Sequence, residues 1–256
     1  FVAAILAIVA PPRPSAQQGG GKPAEHAKQY TRLLIRNVMV IYGNAKPAYG
    51  PMDILVEDNL IARVAPAGTI KGADAVIDAT GKYVMPGLVN THMHWQDERG
   101  GVPMPIQYER NLYLASGVTT TREVGGDFEK SKRWQAESAA NTAIAPRMQV
   151  YWVPNRGNGT PEALRANVRE AKARGADGLK IFGMDRDQLE AVMDEAHKQS
   201  LKTTTHIAVE EVTAADFIEL GVDSIEHFYG VADAAIDGIQ NFPPEHNSNN
   251  EVHRFG

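Results

Sequence analysis

His92 and His94 stand two residues apart at the end of a short apolar run, in VMPGLVNTHMHW over residues 84–95. Pro86 and Gly87 interrupt whatever precedes them, and the residues that follow predict a short buried strand. Because alternate side chains of an extended chain share a face, both imidazoles point the same way and can bind one metal ion. Neutral imidazole is a common zinc ligand. The alternative is two polar residues at a strand exit, one of them a hydrogen-bonded core histidine.

Three further candidates lie inside apolar or β-branched runs: Lys180 in GLKIF, His206 in TTTHI and His227 in SIEHF. A lysine in a buried strand is costly because its ammonium group must be desolvated. Burial lowers the pKa of such a lysine, which makes the neutral amine available as a nucleophile. The alternative for Lys180 is an ion pair with Glu123 or Glu226. For each histidine the alternative is again a hydrogen-bonded core residue.

The elements that must position these residues alternate between strand-like and helical from residue 86 onward. The tripeptides GVT, GAD and GVD, which begin at Gly117, Gly175 and Gly221, each close a helix and open a strand. Repeated βα units predict a parallel sheet, either a barrel or a doubly wound sheet. No Gly-rich phosphate loop follows the first strand, which disfavours the dinucleotide-binding form. In a βα barrel, functional groups from different strands meet at one end.

Composition divides the chain into four segments. Residues 1–16 contain an uncharged apolar run and a small-residue site, which predicts a signal peptide and a periplasmic or secreted protein. The run is too short for a stable membrane span, and the alternative is a buried strand or helix. Residues 17–30 predict a linker. Residues 31–85 predict a small β domain with a hairpin, and residues 86–256 hold the βα units.

The charge and cysteine content limit the partners and the ligands. The net charge is −5 and there is no basic stripe, which argues against a nucleic-acid surface. The chain has no cysteine, so disulfides and thiolate ligands are excluded. Any metal must therefore take nitrogen and oxygen ligands.

The order of the candidates resembles the amidohydrolase superfamily of metal-dependent hydrolases: His-x-His on the first strand, Lys on the fourth, His on the fifth and His on the sixth. The resemblance covers residues 31–256. It includes GVTTTREVGG at 117–126, which is similar to the second strand of the imidazolonepropionase-like and prolidase-like branch, where Asp is more usual than Glu123. The fold class implied is α/β, an incomplete (β/α)8 TIM-like barrel of about six βα units, preceded by a small β-sandwich-type unit.

The resemblance also implies roles for the candidates. His92 and His94 would hold a first divalent metal, and His206 and His227 a second. Lys180, carboxylated to a carbamate, would bridge two Zn²⁺ ions, with a bridging hydroxide as nucleophile. Lys180, His206 and His227 are thus the predicted catalytic residues. Deaminase-type members typically lack this lysine, so it favours hydrolysis of carbon–nitrogen bonds in a small amide, cyclic amide or peptide.

Residues at other predicted strand ends could line a substrate pocket. They are Trp95, Trp152, Arg156 and Tyr229, and Arg156 could hold a substrate carboxylate through its planar fork. The alternative for each is a loop residue that faces solvent.

The resemblance implies one more residue, an aspartate at the end of an eighth strand, and no residue of this chain corresponds to it. Residues 86–256 also fall short of the about 250 residues that a complete barrel takes. We therefore expect a fragment of a longer enzyme that is inactive by itself. The competing hypothesis is a non-catalytic metal- or ligand-binding remnant that needs a partner chain.

Overall fold

The structure is a computed structural model that describes residues 29–154, 159–206, 212–228 and 230–235. The predicted signal peptide, most of the predicted linker, Arg156 and Tyr229 lie outside these residues. Among the described residues, no helix is both long and apolar enough to cross a lipid bilayer.

The first part of the chain forms a five-stranded sheet, as predicted for the β unit. Its strands are β1 (Arg32–Val40), β2 (Tyr49–Glu57), β3 (Leu60–Pro66), β4 (Ala75–Asp78) and β5 (Tyr83–Val84). The order is β3-β2-β1-β4, with β5 also paired to β1. The predicted hairpin joins β2 to β3 through Asp58, whose φ of 52° is the left-handed conformation that such turns require.

The second sheet carries the candidate site. Its six strands are all parallel and follow the order β13-β12-β11-β10-β9-β6. They are β6 (Leu88–Met93), β9 (Val118–Glu123), β10 (Arg147–Trp152), β11 (Gly178–Ile181), β12 (Lys202–Thr205) and β13 (Ser224–Ile225). A short hairpin of β7 (Glu98–Arg99) and β8 (Val102–Pro103) follows β6 and was not predicted from the sequence. The curled six-stranded sheet confirms the prediction of an incomplete barrel.

Helices connect the parallel strands and cover one face of the sheet. They are α1 (Ile106–Ala115), α2 (Phe128–Ala139), α3 (Pro161–Ala173), α4 (Arg186–Lys198), α5 (Ala214–Glu219) and α6 (Val231–Ala234). Leu179 and Ile181 of β11 point into the core formed with α3, α4 and α5 and are fully buried. Because side chains alternate along a strand, Lys180 between them points to the other, concave face.

The ends of α3 follow from local sequence. Thr160 is the N-cap and its side chain accepts a hydrogen bond from the Ala163 backbone, while Pro161 occupies the first turn. Gly175, with φ of 76°, ends the helix in the left-handed conformation. Because these signals were read correctly from the sequence, the strand that follows the helix, β11, lies where it was predicted.

Two predicted elements differ from the structure. The sixth parallel strand was predicted over 224–228 but ends at Ile225, because His227 and Phe228 have φ of 55° and 50° and leave the extended conformation. The helix predicted from residue 211 begins at Ala214, where Thr213 forms a capping box with Asp216. The division into domains at residues 31–85 and 86–256 stays a prediction.

Candidate metal centre

Four histidines from three separate segments of the sequence meet at one end of the parallel strands. The ring centroids of His92 and His94 are 5.1 Å apart, those of His92 and His227 are 4.5 Å apart, and those of His206 and His227 are 4.8 Å apart. His92 is the second-last residue of β6, and His94, His206 and His227 lie just beyond β6, β12 and β13. We call these four residues the histidine cluster. The predicted convergence of the imidazoles is therefore present.

The two histidines of the His-x-His pair turn the same ring nitrogen toward each other, with Nε2 of His92 3.2 Å from Nε2 of His94. Their other nitrogens face carboxylates. Nδ1 of His92 is 2.7 Å from Oε2 of Glu226, and Nδ1 of His94 is 3.4 Å from Oε1 of Glu123. Each ring is thus held from its Nδ1 side, which leaves Nε2 directed into the cluster.

Glu226 is a buried carboxylate that is surrounded by several hydrogen-bond donors. It accepts hydrogen bonds from Arg122 and from the hydroxyl of Thr204, in addition to its contact with His92. Burial alone would raise the pKa of Glu226, but the hydrogen bonds from His92 and Thr204 and the charge of Arg122 lower it to about 2. An ionised carboxylate only accepts hydrogen bonds, so Nδ1 of His92 is the donor.

Glu123 holds the second ring in a similar way. Its carboxylate accepts backbone hydrogen bonds from Trp95, Gly125 and Gly126. The Oε1 atom that faces His94 already accepts two of these N–H groups, at 2.8 and 2.6 Å. Nδ1 of His94 therefore faces a hydrogen-bond acceptor, and the proton of the neutral ring is on Nδ1.

Lys180 is 1% exposed, and its Nζ has no hydrogen-bond partner among the described residues. The alternative of a close ion pair with Glu123 or Glu226 is therefore not observed there. Burial is the largest effect on the Lys180 amine and lowers its pKa to about 8, although the negative charge of Glu226 acts in the opposite direction.

Burial also favours the neutral form of the other two histidines. It lowers the pKa of His206 to about 4, with the charge of Lys180 acting in the same direction. Burial likewise lowers the pKa of His227, against a hydrogen bond with the His206 carbonyl. A neutral imidazole keeps the lone pair that a metal requires.

The His92–His94 pair has the spacing of two ligands of one metal ion, but the histidine cluster does not form a complete metal site. No group of three or more His, Asp or Glu side chains within the described ranges is arranged so that it could hold a metal ion. With both Nδ1 atoms protonated, however, His92 and His94 direct two lone pairs at each other across 3.2 Å. Two ligands of one tetrahedral zinc ion lie about 3.3–3.4 Å apart, from Zn–N distances of about 2.0–2.1 Å. A cation between them would turn a repulsive contact into two bonds.

The predicted substrate residues are placed differently. Trp95 is 2% exposed and packs against Tyr113, and its indole donates a hydrogen bond to Thr121. It also lines a cleft of about 500 Å³ beside Gly125. Trp152 packs on the helix side of the sheet, where its indole donates to Asn167. These contacts show packing roles, and substrate binding by either residue stays a prediction. Arg156 and Tyr229 lie outside the described residues.

Arg122 belongs to the site, although sequence reasoning did not single it out. Its guanidinium donates to the carbonyl of Thr91, to the hydroxyl of Ser224 and to the carboxylate of Glu226. The signal was available in TTTRE, because a charged residue within a strand of β-branched residues needs a buried partner.

Comparison with known proteins places the chain in a family. The sequence profile of the amidohydrolase family matches residues 83–240, which is more than half of the chain. Over 126 residues the chain is 36% identical to a D-hydantoinase from Streptomyces coelicolor, covering 44% of this chain and 26% of that protein. Over 97 residues it is 38% identical to an imidazolonepropionase from Salinispora tropica, covering 35% of this chain and 24% of that one.

A solved structure shows the same fold. The crystal structure of a putative prolidase from Bifidobacterium longum superposes with a TM-score of 0.66 at 24% identity, over 77% of this chain and 54% of that one. The chain thus spans about a quarter of the two curated relatives and about half of the prolidase. Because the profile match extends over more than half of the chain, it establishes that this chain belongs to the amidohydrolase family.

Proposed function

We propose that this chain supplies the metal-binding residues of a hydrolase that cleaves a carbon–nitrogen bond in a small amide, cyclic amide or peptide. The observation that carries the proposal is the pair of Nε2 atoms of His92 and His94, which face each other at 3.2 Å with both Nδ1 atoms held by carboxylates. Metal-ligating histidines in proteins are typically held in this way, with a carboxylate or carbonyl at the other ring nitrogen that fixes the tautomer.

In the proposed site His92 and His94 hold one divalent ion, and His206 and His227 hold a second. Zn²⁺ suits such nitrogen ligands. When bound, such ions polarise a carbonyl and bring the pKa of water toward neutrality. Burial lowers the pKa of His206 to about 4, so this ligand is neutral across the range in which hydrolysis at neutral pH takes place.

Lys180 has a separate role in the proposal. Its neutral amine attacks carbon dioxide, so that an N–C bond forms, one C=O π bond becomes a carboxylate and a proton leaves to solvent. The product is a carbamate, which would replace a buried cation that has no hydrogen-bond partner among the described residues with an anion suited to two dications. The lowered pKa of Lys180, about 8, makes the required neutral amine accessible near neutral pH.

The test begins with metal binding. The chain is incubated with Zn²⁺ and ¹³C-bicarbonate, and bound metal and the ¹³C carbamate signal are measured by elemental analysis and NMR. We expect metal bound to the chain and a carbamate that is absent in Lys180→Ala but retained in Lys202→Ala, which removes an exposed lysine from the next strand. Absence of stoichiometric metal in the wild-type chain would contradict the proposal.

Turnover is then assayed with dipeptides, hydantoins and lactams. Hydrolysis that depends on Lys180 supports an enzyme. Metal and carbamate without hydrolysis by this chain agrees with the expectation that it is inactive by itself. Absence of hydrolysis also from a chain extended through an eighth strand would favour the alternative of a non-catalytic metal-binding remnant.

A further inference from the structure

The hydrogen bonds of Arg122 join the two edges of the parallel sheet. Arg122 lies on β9, and its Nε donates to the carbonyl of Thr91 at 2.6 Å, one residue before His92. Its two other nitrogens reach Ser224 and Glu226 at the far edge, which are 102 and 104 residues later in the chain. β6 and β13 are the outermost strands and share no backbone pairing. The guanidinium is therefore a direct connection between them across the concave face.

Glu226 extends this connection to a histidine. One carboxylate oxygen, Oε1, accepts from Arg122 and Thr204, and the other, Oε2, lies 2.7 Å from Nδ1 of His92. The side chains of Glu226, Arg122 and His92 are only 7%, 17% and 24% exposed. Because Nη2 of Arg122 and the Thr204 hydroxyl both donate to Oε1, the carboxylate is fixed with Oε2 toward the ring.

We propose that Glu226 is a positioning residue, held in place by Arg122 and Thr204, that fixes His92 in the tautomer with the proton on Nδ1 and the lone pair on Nε2. The consequence for metal binding rests on the proposed function, whereas the tautomer itself is a property of the metal-free protein. Outer partners of this kind typically change metal affinity by about 10–100-fold when they are mutated.

Glu226→Gln is the informative substitution. The amide oxygen can still accept from Arg122 and Thr204, so the NH₂ group is left to face Nδ1 of His92 and must donate to it. The proton of the ring then moves to Nε2, which loses the lone pair that the metal needs. The substitution thus inverts one hydrogen bond while it preserves size and shape.

Glu195→Gln is the matched control. Glu195 is a buried glutamate, 5% exposed, that pairs with Arg169 and accepts from Gln199 on the helix side of the sheet. It loses the same charge beside the same kind of partner without touching the histidine cluster.

The experiment measures the tautomer of His92 by long-range ¹H–¹⁵N NMR of the metal-free chain at about pH 8, where an ordinary imidazole is neutral. The His92 signals are assigned from their loss in His92→Asn. We expect the Nδ1–H form in the wild-type chain and in Glu195→Gln, the Nε2–H form in Glu226→Gln, and recovery of the Nδ1–H form in Glu226→Asp. An Nε2–H ring in the wild-type chain would overturn the inference, even if Glu226→Gln failed to fold.

Calorimetric titration with Zn²⁺ tests the consequence for binding. We expect Glu226→Gln to bind about 10–100-fold more weakly than the wild-type chain and Glu195→Gln to match the wild type. Equal affinity in Glu226→Gln would overturn the role of Glu226 in metal binding. If the wild-type chain bound no zinc, the proposed function would fail, while the NMR spectra would still decide the tautomer.

Discussion

Glu226 and His92 are 134 residues apart in the sequence, yet the carboxylate oxygen Oε2 lies 2.7 Å from the ring nitrogen Nδ1. The contact joins β6 to the residue that follows β13, and these are the two edge strands of the described parallel sheet. It orients the imidazole from the side opposite the histidine cluster, so the chemistry of Nε2 depends on a residue that does not itself face a metal.

Replacement of His94 should weaken zinc binding at the position proposed for the first ion. His94→Asn deletes one of the two facing Nε2 atoms, and the remaining histidine cannot hold an ion alone. We expect a loss of affinity greater than the about 10–100-fold that is typical of outer-shell substitutions, measured by calorimetry. His197→Asn is the control, because His197 lies on α4 beside the Gly221 carbonyl, outside the cluster. Equal losses in the two variants would argue against a site at His94.

The pH dependence of stability should report the buried Lys180. Its pKa is about 8 in the folded chain and near the ordinary value of 10.5 when unfolded. Between these values the unfolded state binds a proton that the folded state does not, so this residue makes the free energy of unfolding rise with pH. Lys180→Met keeps the volume and removes the amine.

Denaturant titrations of the metal-free chain at several pH values between 8 and 10.5 give the measurement for Lys180. The wild-type free energy of unfolding should rise relative to that of Lys180→Met across this window, and Lys180→Met should be the more stable protein at pH values below it. Parallel curves for the two proteins would show that the amine is already charged and solvated in the folded state.

Acid should destabilise the metal-free chain through His206. Burial lowers the pKa of this histidine to about 4 from an ordinary value of 6.5. As the pH falls from 6.5 to 4, the imidazole binds a proton in the unfolded state but not in the folded state. The free energy of unfolding therefore decreases over that interval. His206→Gln should lose less stability than the wild type over the same interval in urea titrations with a chelator present. A steeper loss in the variant would contradict the assignment.

Removal of the Arg122 guanidinium should lower the free energy of unfolding far more than removal of a more exposed guanidinium. Arg122→Gln leaves the buried Glu226 carboxylate without its charged partner, and we expect the free energy of unfolding to fall by about 3–5 kcal/mol. Arg165→Gln, which breaks a more exposed pair with Asp194 between two helices, should cost about 0–1 kcal/mol. Similar losses of unfolding free energy in the two variants would mean that the contacts of Arg122 stabilise the fold no more than the Arg165–Asp194 pair does. Urea denaturation supplies both values.

Local sequence patterns predicted the parts of the site that depend on the neighbouring residues. The spacing of His92 and His94 gave their shared direction, and the flanking residues of Thr160 and Gly175 gave the ends of the helix before Lys180. These features follow from strand alternation and from capping chemistry, which operate within a few residues.

The parts that were missed depend on the curvature of the sheet. Arg122 reaches Glu226 only because β6 and β13 curl toward each other. A local sequence pattern does not show how close two strands so far apart in the sequence will lie. For the same reason the sequence could not decide whether Lys180 forms an ion pair with Glu226. The structure shows that the Glu226 carboxylate instead contacts Arg122, Thr204 and His92. The left-handed turn at His227 was missed because a histidine there gives no glycine signal.

The connection from β9 to the end of β13 also bears on how the protein is made. Arg122 bonds to residues 102 and 104 positions further along the chain, and such distant contacts form slowly because a long loop must close first. During synthesis the ring of His92 emerges from the ribosome long before Glu226 exists to orient it. The first five βα units are therefore made before the cluster is complete, and the proposed metal binding should arise late and abruptly as the chain grows past Glu226.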